Sequence, residues 1–109
     1  MAKIDKMHRE QVIINEVVKI LVKYISPDVI YLFGSRAKRE TIGNPDFDFA
    51  VDAKRPEVRT ERLILDEIED IAGLYSVDVV YLQSVDKKFR EIVYETGKVV
   101  YDRRSVNIS

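Results

Sequence analysis

Two aspartates stand two residues apart in an alternating segment, and ten residues separate them from a glycine-serine pair. The aspartates are Asp46 and Asp48, and the pair is Gly34-Ser35. Side chains two residues apart on a β-strand point to the same face, so the two carboxylates can approach one point. Like charges held this close repel each other, and a divalent cation relieves that repulsion. Hard cations such as Mg²⁺ take oxygen ligands, so the spacing predicts a carboxylate metal site.

The glycine-serine pair directly follows an apolar run, Val29–Phe33. A turn of this kind at the start of a helix offers free backbone N–H groups to a phosphate. Arg36 comes next, either placed to meet a phosphate or exposed on that helix. A phosphate-binding turn beside a carboxylate metal site is what phosphoryl or nucleotidyl transfer from a nucleoside triphosphate requires.

A third carboxylate, Asp78, lies in the otherwise apolar segment 77–81. A lone carboxylate in such a strand is costly unless it is paired or bound to metal. If this strand lies beside the strand of Asp46 and Asp48, three carboxylates converge and can hold two ions about 3.5–4 Å apart. Taken alone, alternating Asp and Phe is typical of a strand with one solvated face, and Gly-Ser is common between a strand and a helix. The combination at this spacing favours the metal site.

The remaining pattern predicts an α/β fold in which helices pack on a small mixed sheet. The pattern does not fix the strand order. Residues expected to face inward are Leu65, Ile68 and Ile71 or Ala72 in the second long helix, and Phe89, Ile92 and Val93 in the third. Ser84 is a candidate N-cap for that third helix. The predicted elements are a helix over 6–25, strands over 29–33 and 46–52, a helix over 57–72, a strand over 76–82, a helix from 84 to about 95, a strand over 98–101 and a frayed polar tail over 103–109.

The composition limits the kinds of protein this can be. The 109 residues predict a single domain over 1–109, and the hydrophobic fraction of 46% is enough for one packed core. The formal net charge of -1 argues against a non-specific nucleic-acid binder. There are no cysteines, which excludes disulfides and thiolate chemistry. The chain shows neither an apolar run of about 20 residues nor a signal-peptide pattern, so we expect no membrane association and a cytoplasmic location.

Taken together, Gly34-Ser35, Asp46-Phe47-Asp48 and the later Asp78 resemble the nucleotidyltransferase superfamily that includes DNA polymerase β. Within it, the segments 32–37 and 46–52 are similar to the minimal nucleotidyltransferases, the MNT proteins. The segment 96–101 also resembles the closing strand of that family. The resemblance covers most of the chain.

The resemblance implies a polymerase β-like palm fold and a role for each motif residue. Gly34 and Ser35, with Arg36, would bind the triphosphate of ATP. Asp46 and Asp48 would bind two Mg²⁺ ions, and Asp78 would be the third ligand and help to activate the acceptor hydroxyl.

The family context also implies a partner, a helical HEPN-type toxin. The minimal protein would be the antitoxin and would transfer AMP from ATP to a tyrosine of that toxin. A homodimer is a second, weaker expectation.

Three functions compete at this point. The first is Mg²⁺-dependent transfer of AMP to a hydroxyl of a partner protein, and the retained carboxylates favour it. The second is a catalytically silent nucleotide-binding antitoxin or scaffold that acts by complex formation. The third, transfer to a small molecule such as an aminoglycoside, is disfavoured because little chain remains to build a substrate domain.

Overall fold

The computed structural model describes residues 2–34 and 46–106. Their elements follow the predicted alternation of helices and strands. In chain order these are α1 (Ala2–Ile25), β1 (Val29–Phe33), β2 (Asp46–Val51), α2 (Val58–Ala72), β3 (Ser76–Tyr81), a 3₁₀ turn (Leu82–Ser84), α3 (Lys87–Thr96), β4 (Lys98–Asp102) and α4 (Arg103–Val106).

The described strands form one mixed sheet in the order β3-β2-β1-β4. β1 pairs antiparallel with both β2 and β4, whereas β2 and β3 run parallel. The parallel pair is possible because α2 carries the chain back across the sheet between β2 and β3, as a crossover connection must. This order makes β1 and β2 the central strands, and it places the strand of Asp78 directly beside the strand of Asp46 and Asp48.

The main core lies between one face of the sheet and the helices α1 and α2. Alternate residues of β2 point into it because of the two-residue period of a strand, and Phe47, Phe49 and Val51 are almost completely buried. The helices contribute apolar residues at three- and four-residue spacing. These are Ile13, Val17, Ile20 and Leu21 from α1, and Ile64 and Ile68 from α2.

The opposite face of the sheet is covered in part by α3. Its Val93 packs with Ala50 of β2 and Leu82, and the Phe89 ring meets the Phe33 ring edge-on at 5.8 Å between centroids. On this face Ala50 is the small residue that lets the helix approach. Asp46 and Asp48, which share the face of Ala50, lie beyond this packed cluster.

Several details differ from the sequence-based expectation. α1 begins at Ala2 rather than near residue 6, because alanine and lysine at its start favour helix. The N-cap of α3 is Asp86, whose side chain accepts a hydrogen bond from the Phe89 N–H at 2.8 Å. Ser84 instead accepts from the Arg55 N–H at 2.9 Å. The Ser84 cap was therefore wrong.

Two residues expected to be inward are largely exposed, Leu65 at 43% and Ile92 at 53%. In each helix the neighbouring residue, Ile64 or Val93, takes the buried position. A single-residue step rotates the side chain by about 100°, and only the packing direction of the helix decides which neighbour faces the sheet.

The expected fraying from residue 103 was also wrong over its first residues, because Arg103 begins the short helix α4. Its backbone N–H donates to the Asp28 carbonyl at 2.9 Å, and its guanidinium donates to the Asp28 carboxylate.

Within the described residues, no helix is both long and apolar enough to cross a membrane.

Candidate active site

The strand register brings Asp48 and Asp78 side by side. Asp48 of β2 is directly opposite Asp78 of β3, and on its other side it is opposite Phe33 of β1. Neighbouring strands lie about 4.8 Å apart, and residues in register share a face. Asp46, two residues earlier on β2, lies on the same face. The condition for convergence, that the strand of Asp78 lies beside the strand of Asp46 and Asp48, is therefore met, and all three aspartates stand on one face of the sheet.

Gly34, at the end of β1, lies against the carboxylate of Asp48. Its φ of +78° is in the left-handed region, and a Cβ added at this position would lie 2.6 Å from the Oδ2 atom of Asp48. Both the backbone conformation and the lack of space favour glycine here. The turn that the sequence assigned to phosphate binding is therefore in contact with the carboxylate cluster.

The electrostatics of Asp48 follow from this crowding. Partial burial raises the pKa of the Asp48 carboxyl above its usual value, and the charges of Asp78 and Asp46 and a hydrogen bond with Asp78 act in the same direction. Asp46 and Asp78 themselves are exposed. Asp48 is thus the partly buried member of the cluster, and its negative charge is destabilised by burial and by its two neighbours.

The donor set suits a hard divalent cation, since it consists of carboxylate oxygens whose mutual repulsion a cation would relieve. Among the residues the structure describes, however, no three His, Cys, Asp or Glu side chains are arranged as a group that could hold a metal ion. The metal-ligand roles of Asp46, Asp48 and Asp78 therefore stay a prediction.

Among the described residues, nothing covers the outer side of the cluster. α3 packs over the middle of the sheet through Phe89 and Val93, and it leaves Asp46 and Asp78 exposed. Asp52 shares the β2 face with them but lies just beyond the end of the strand, where it accepts a hydrogen bond from Gln83 Nε2 at 3.2 Å.

Two of the predicted nucleotide-binding residues, Ser35 and Arg36, lie outside the described residues. Gly34 lies inside them and next to the carboxylates. Sequence reasoning missed the contact between Gly34 and Asp48. Two features of the sequence had to be combined to predict this contact. One is a glycine directly after a strand, and the other is an aspartate near the start of the strand that pairs antiparallel with it.

Comparison with known proteins assigns this fold to a class. The family model for polymerase β nucleotidyltransferases matches residues 15–105, and the chain belongs to that family. The mixed sheet with its packed helices is accordingly a polymerase β-like nucleotidyltransferase fold. A comparison with curated proteins gave no match.

Solved structures give a narrower likeness. A toxin-antitoxin structure with AMP-PNP superposes with a TM-score of 0.68 at 26% identity, over 86% of this chain and 77% of that one. The complex of tri-AMPylated Shewanella oneidensis HEPN toxin with MNT antitoxin gives a TM-score of 0.64 at 25% identity, over 89% and 76%. The toxin-antitoxin structure MntA-HepT gives the same four values. The predicted resemblance to minimal nucleotidyltransferases is confirmed.

Proposed function

We propose that this protein is a Mg²⁺-dependent nucleotidyltransferase that transfers AMP from ATP to a hydroxyl group of a HEPN-type partner protein. The proposed acceptor is the hydroxyl of a tyrosine. In this role it acts as the antitoxin of a toxin-antitoxin pair. The observation that carries the proposal is the placement of Asp48, which lies in register with Asp78 and against Gly34.

The three aspartates have distinct places in the proposed reaction. The acceptor oxygen attacks the α-phosphorus of ATP, the bond from that phosphorus to the bridging oxygen breaks, and pyrophosphate leaves. Asp78 is exposed and lies on the outer strand of the sheet, and we assign to it the role of accepting the hydroxyl proton. Asp46 and Asp48 lie on the same face, nearer Gly34, where the triphosphate would sit.

Asp46, Asp48 and Asp78 would hold the two Mg²⁺ ions. When bound, these ions would supply positive charge that neutralises the triphosphate and the three carboxylates. The raised pKa of Asp48 supports this assignment, because a carboxyl crowded by like charges is stabilised by a cation.

The partner assignment is supported by the structural neighbours. One neighbour holds an MNT antitoxin with a tri-AMPylated HEPN toxin, and another is a toxin-antitoxin structure with AMP-PNP. Both are similar to this chain over more than four fifths of its length. We extend the activity and the ATP substrate to this chain as parts of the proposal, which also includes a cytoplasmic location.

The test is intact-mass analysis of the HEPN partner after incubation with this protein, ATP and Mg²⁺. We expect the partner to gain the mass of one or more AMP groups, and we expect Asp48→Asn to abolish the gain. Asp52→Asn is the matched control, because Asp52 shares the β2 face but is bonded to Gln83. It should leave transfer unchanged.

The same experiment separates the two leading functions. A stable complex with the partner and no mass gain under any metal condition would favour the catalytically silent antitoxin. Full transfer by Asp48→Asn would contradict the proposed site.

A further inference from the structure

The outer edge of β3 is open in the described part of the chain. β3 pairs with β2 on one side, and no described strand pairs with its other side. An unpaired edge presents a row of backbone N–H and C=O groups. Addition of an extended segment to such an edge is a recurrent mode of peptide recognition.

This edge lies beside the carboxylate cluster. Asp78 is exposed near the middle of β3 and in register with Asp48. A residue that pairs with Asp78 on an added strand would share its face of the sheet. A tyrosine at that position would stand next to Asp78, with its hydroxyl raised above the strand on the side of the three aspartates.

Exposed leucines border the same edge. Leu74, just before β3, is 97% exposed. Leu65 of α2 is 43% exposed. It lies roughly 160° around the helix from Glu67, and Glu67 faces α1, where its carboxylate accepts hydrogen bonds from Lys23 and Tyr24. Because α1 packs on the β4 side of the sheet and α2 on the β3 side, Leu65 lies on the flank of α2 toward the open edge.

The charge near this edge is negative. The last turn of α2 contains no basic residue, and exposed Glu69 and Asp70 lie close to its end. The C-terminal end of a helix adds a partial negative charge. With the exposed carboxylates of Asp46 and Asp78 on the sheet, the surroundings of the start of β3 favour a basic partner.

We propose that the acceptor binds as an added strand on the outer edge of β3, through an extended, basic segment whose hydroxyl-bearing residue pairs with Asp78. Leu65 and Leu74 provide its apolar contacts. This inference rests on the proposed function and adds to it the mode of acceptor recognition, which selects an extended backbone rather than a folded helix.

Binding is tested with a short synthetic peptide that alternates valine and arginine around one central tyrosine. The titration uses the isotope-labelled protein with ATP and Mg²⁺, and the readout is the amide chemical shifts. We expect saturable shifts at the β3 amides, residues 76–81. Two N-methylated peptides provide the backbone test, each blocking the N–H groups on one edge of the peptide. We expect one of them to lose binding and the other to keep it.

The side-chain test compares three polar substitutions that add no charge. Leu65→Ser and Leu74→Ser should each weaken peptide binding by about tenfold. Leu63→Ser is the matched control, since Leu63 is similarly exposed at 46% but lies roughly 160° around α2 from Leu65. Equal binding by all three variants, or binding by both N-methylated peptides, would overturn the inference.

The two proposals fail in different ways. If the peptide shifts the β3 amides but no AMP is transferred to it or to the HEPN partner, the edge site stands and the proposed activity is wrong. If the partner is modified but no peptide shifts the β3 amides, the activity stands and the edge site is wrong. Asp48→Asn should keep peptide binding and lose transfer.

Discussion

Asp48 is the residue on which the candidate site depends. It alone among the three aspartates is partly buried, and it contacts the turn on one side and Asp78 on the other. Its carboxyl is therefore the one whose ionisation the fold opposes. A residue kept in such surroundings, where asparagine would fit with less repulsion, indicates a function that needs the charge.

Asp48→Asn should increase the free energy of unfolding at neutral pH. The pKa of Asp48 is raised from 3.8 on folding, so the folded state binds the proton more readily and loses stability as the pH rises through the folded pKa. The gain from Asn should therefore shrink as the pH falls and vanish below about 3.8. Urea denaturation of both proteins across this pH range measures the difference in their free energies of unfolding. A variant less stable than the natural protein at pH 7 would contradict the prediction.

Gly34→Ala should destabilise the fold by about 1–2 kcal/mol, because alanine is strained at positive φ. It should also reduce transfer strongly, since the new Cβ would displace the Asp48 carboxylate. Gly73→Ala is the matched control. Gly73 also has a positive φ, +63°, but nothing lies within 4 Å of the added Cβ, so Gly73→Ala should lose stability through backbone strain alone and keep normal transfer. Equal activity of the two variants would mean that the Gly34 contact does not matter.

At the level of elements, α3 decides where the site begins. It packs on Ala50 and Phe33 through Val93 and Phe89, and the aspartates lie just beyond this cluster. Its first turn depends on Asp86, which accepts from the Phe89 N–H. Asp86 therefore helps to fix Phe89. The Phe89 ring contacts Phe33, the residue directly before Gly34.

Asp86→Ala should reduce stability by about 1 kcal/mol, the usual value for loss of an N-cap. Hydrogen exchange should accelerate at the Phe89 amide, which loses its acceptor. Ser84→Ala should instead accelerate exchange at the Arg55 amide, since Ser84 Oγ accepts from that N–H. Faster Phe89 exchange in Ser84→Ala alone would restore serine as the cap.

For the whole molecule, the open carboxylate face determines how ligands must bind. Asp46 and Asp78 are exposed on one side of the sheet, while both core clusters lie elsewhere. The carboxylates of the candidate site therefore lie on a surface, and a macromolecular partner can cover that surface. A stable complex of this kind buries at least about 1,000 Å².

ATP and Mg²⁺ together should stabilise the protein by more than the sum of their separate effects. The triphosphate alone would face three carboxylates, and repulsion between them weakens binding. With both ligands present, the gain should reach about 2.7 kcal/mol at roughly a hundredfold excess over Kd. Thermal unfolding with each ligand and with both measures it. Equal stabilisation by ATP with and without Mg²⁺ would place the nucleotide away from the aspartates.

Much of the fold could be predicted because local patterns carried it. The two-residue period of β2 predicted that Asp46 and Asp48 share a face, and the helical spacing predicted Ile68 as an inward residue of α2, where it is buried. Strand ends were predicted to within about a residue, because Gly, Pro and polar residues mark them in the sequence. The failures at Leu65, Ile92 and Ser84 concern one-residue choices between neighbours, which depend on the direction in which a helix packs.

The sequence by itself determined that Asp46 and Asp48 share a face, because the two-residue period of a strand is a local property. It also determined the residue types that the site has available. Only the tertiary structure decided that β3 lies beside β2 with Asp78 opposite Asp48 and that Gly34 packs against the same carboxylate. It also decided that no described strand pairs with the far edge of β3. The first two are contacts between segments 14 to 30 residues apart, and they are fixed by how the helices bury their apolar faces on the sheet rather than by any local pattern.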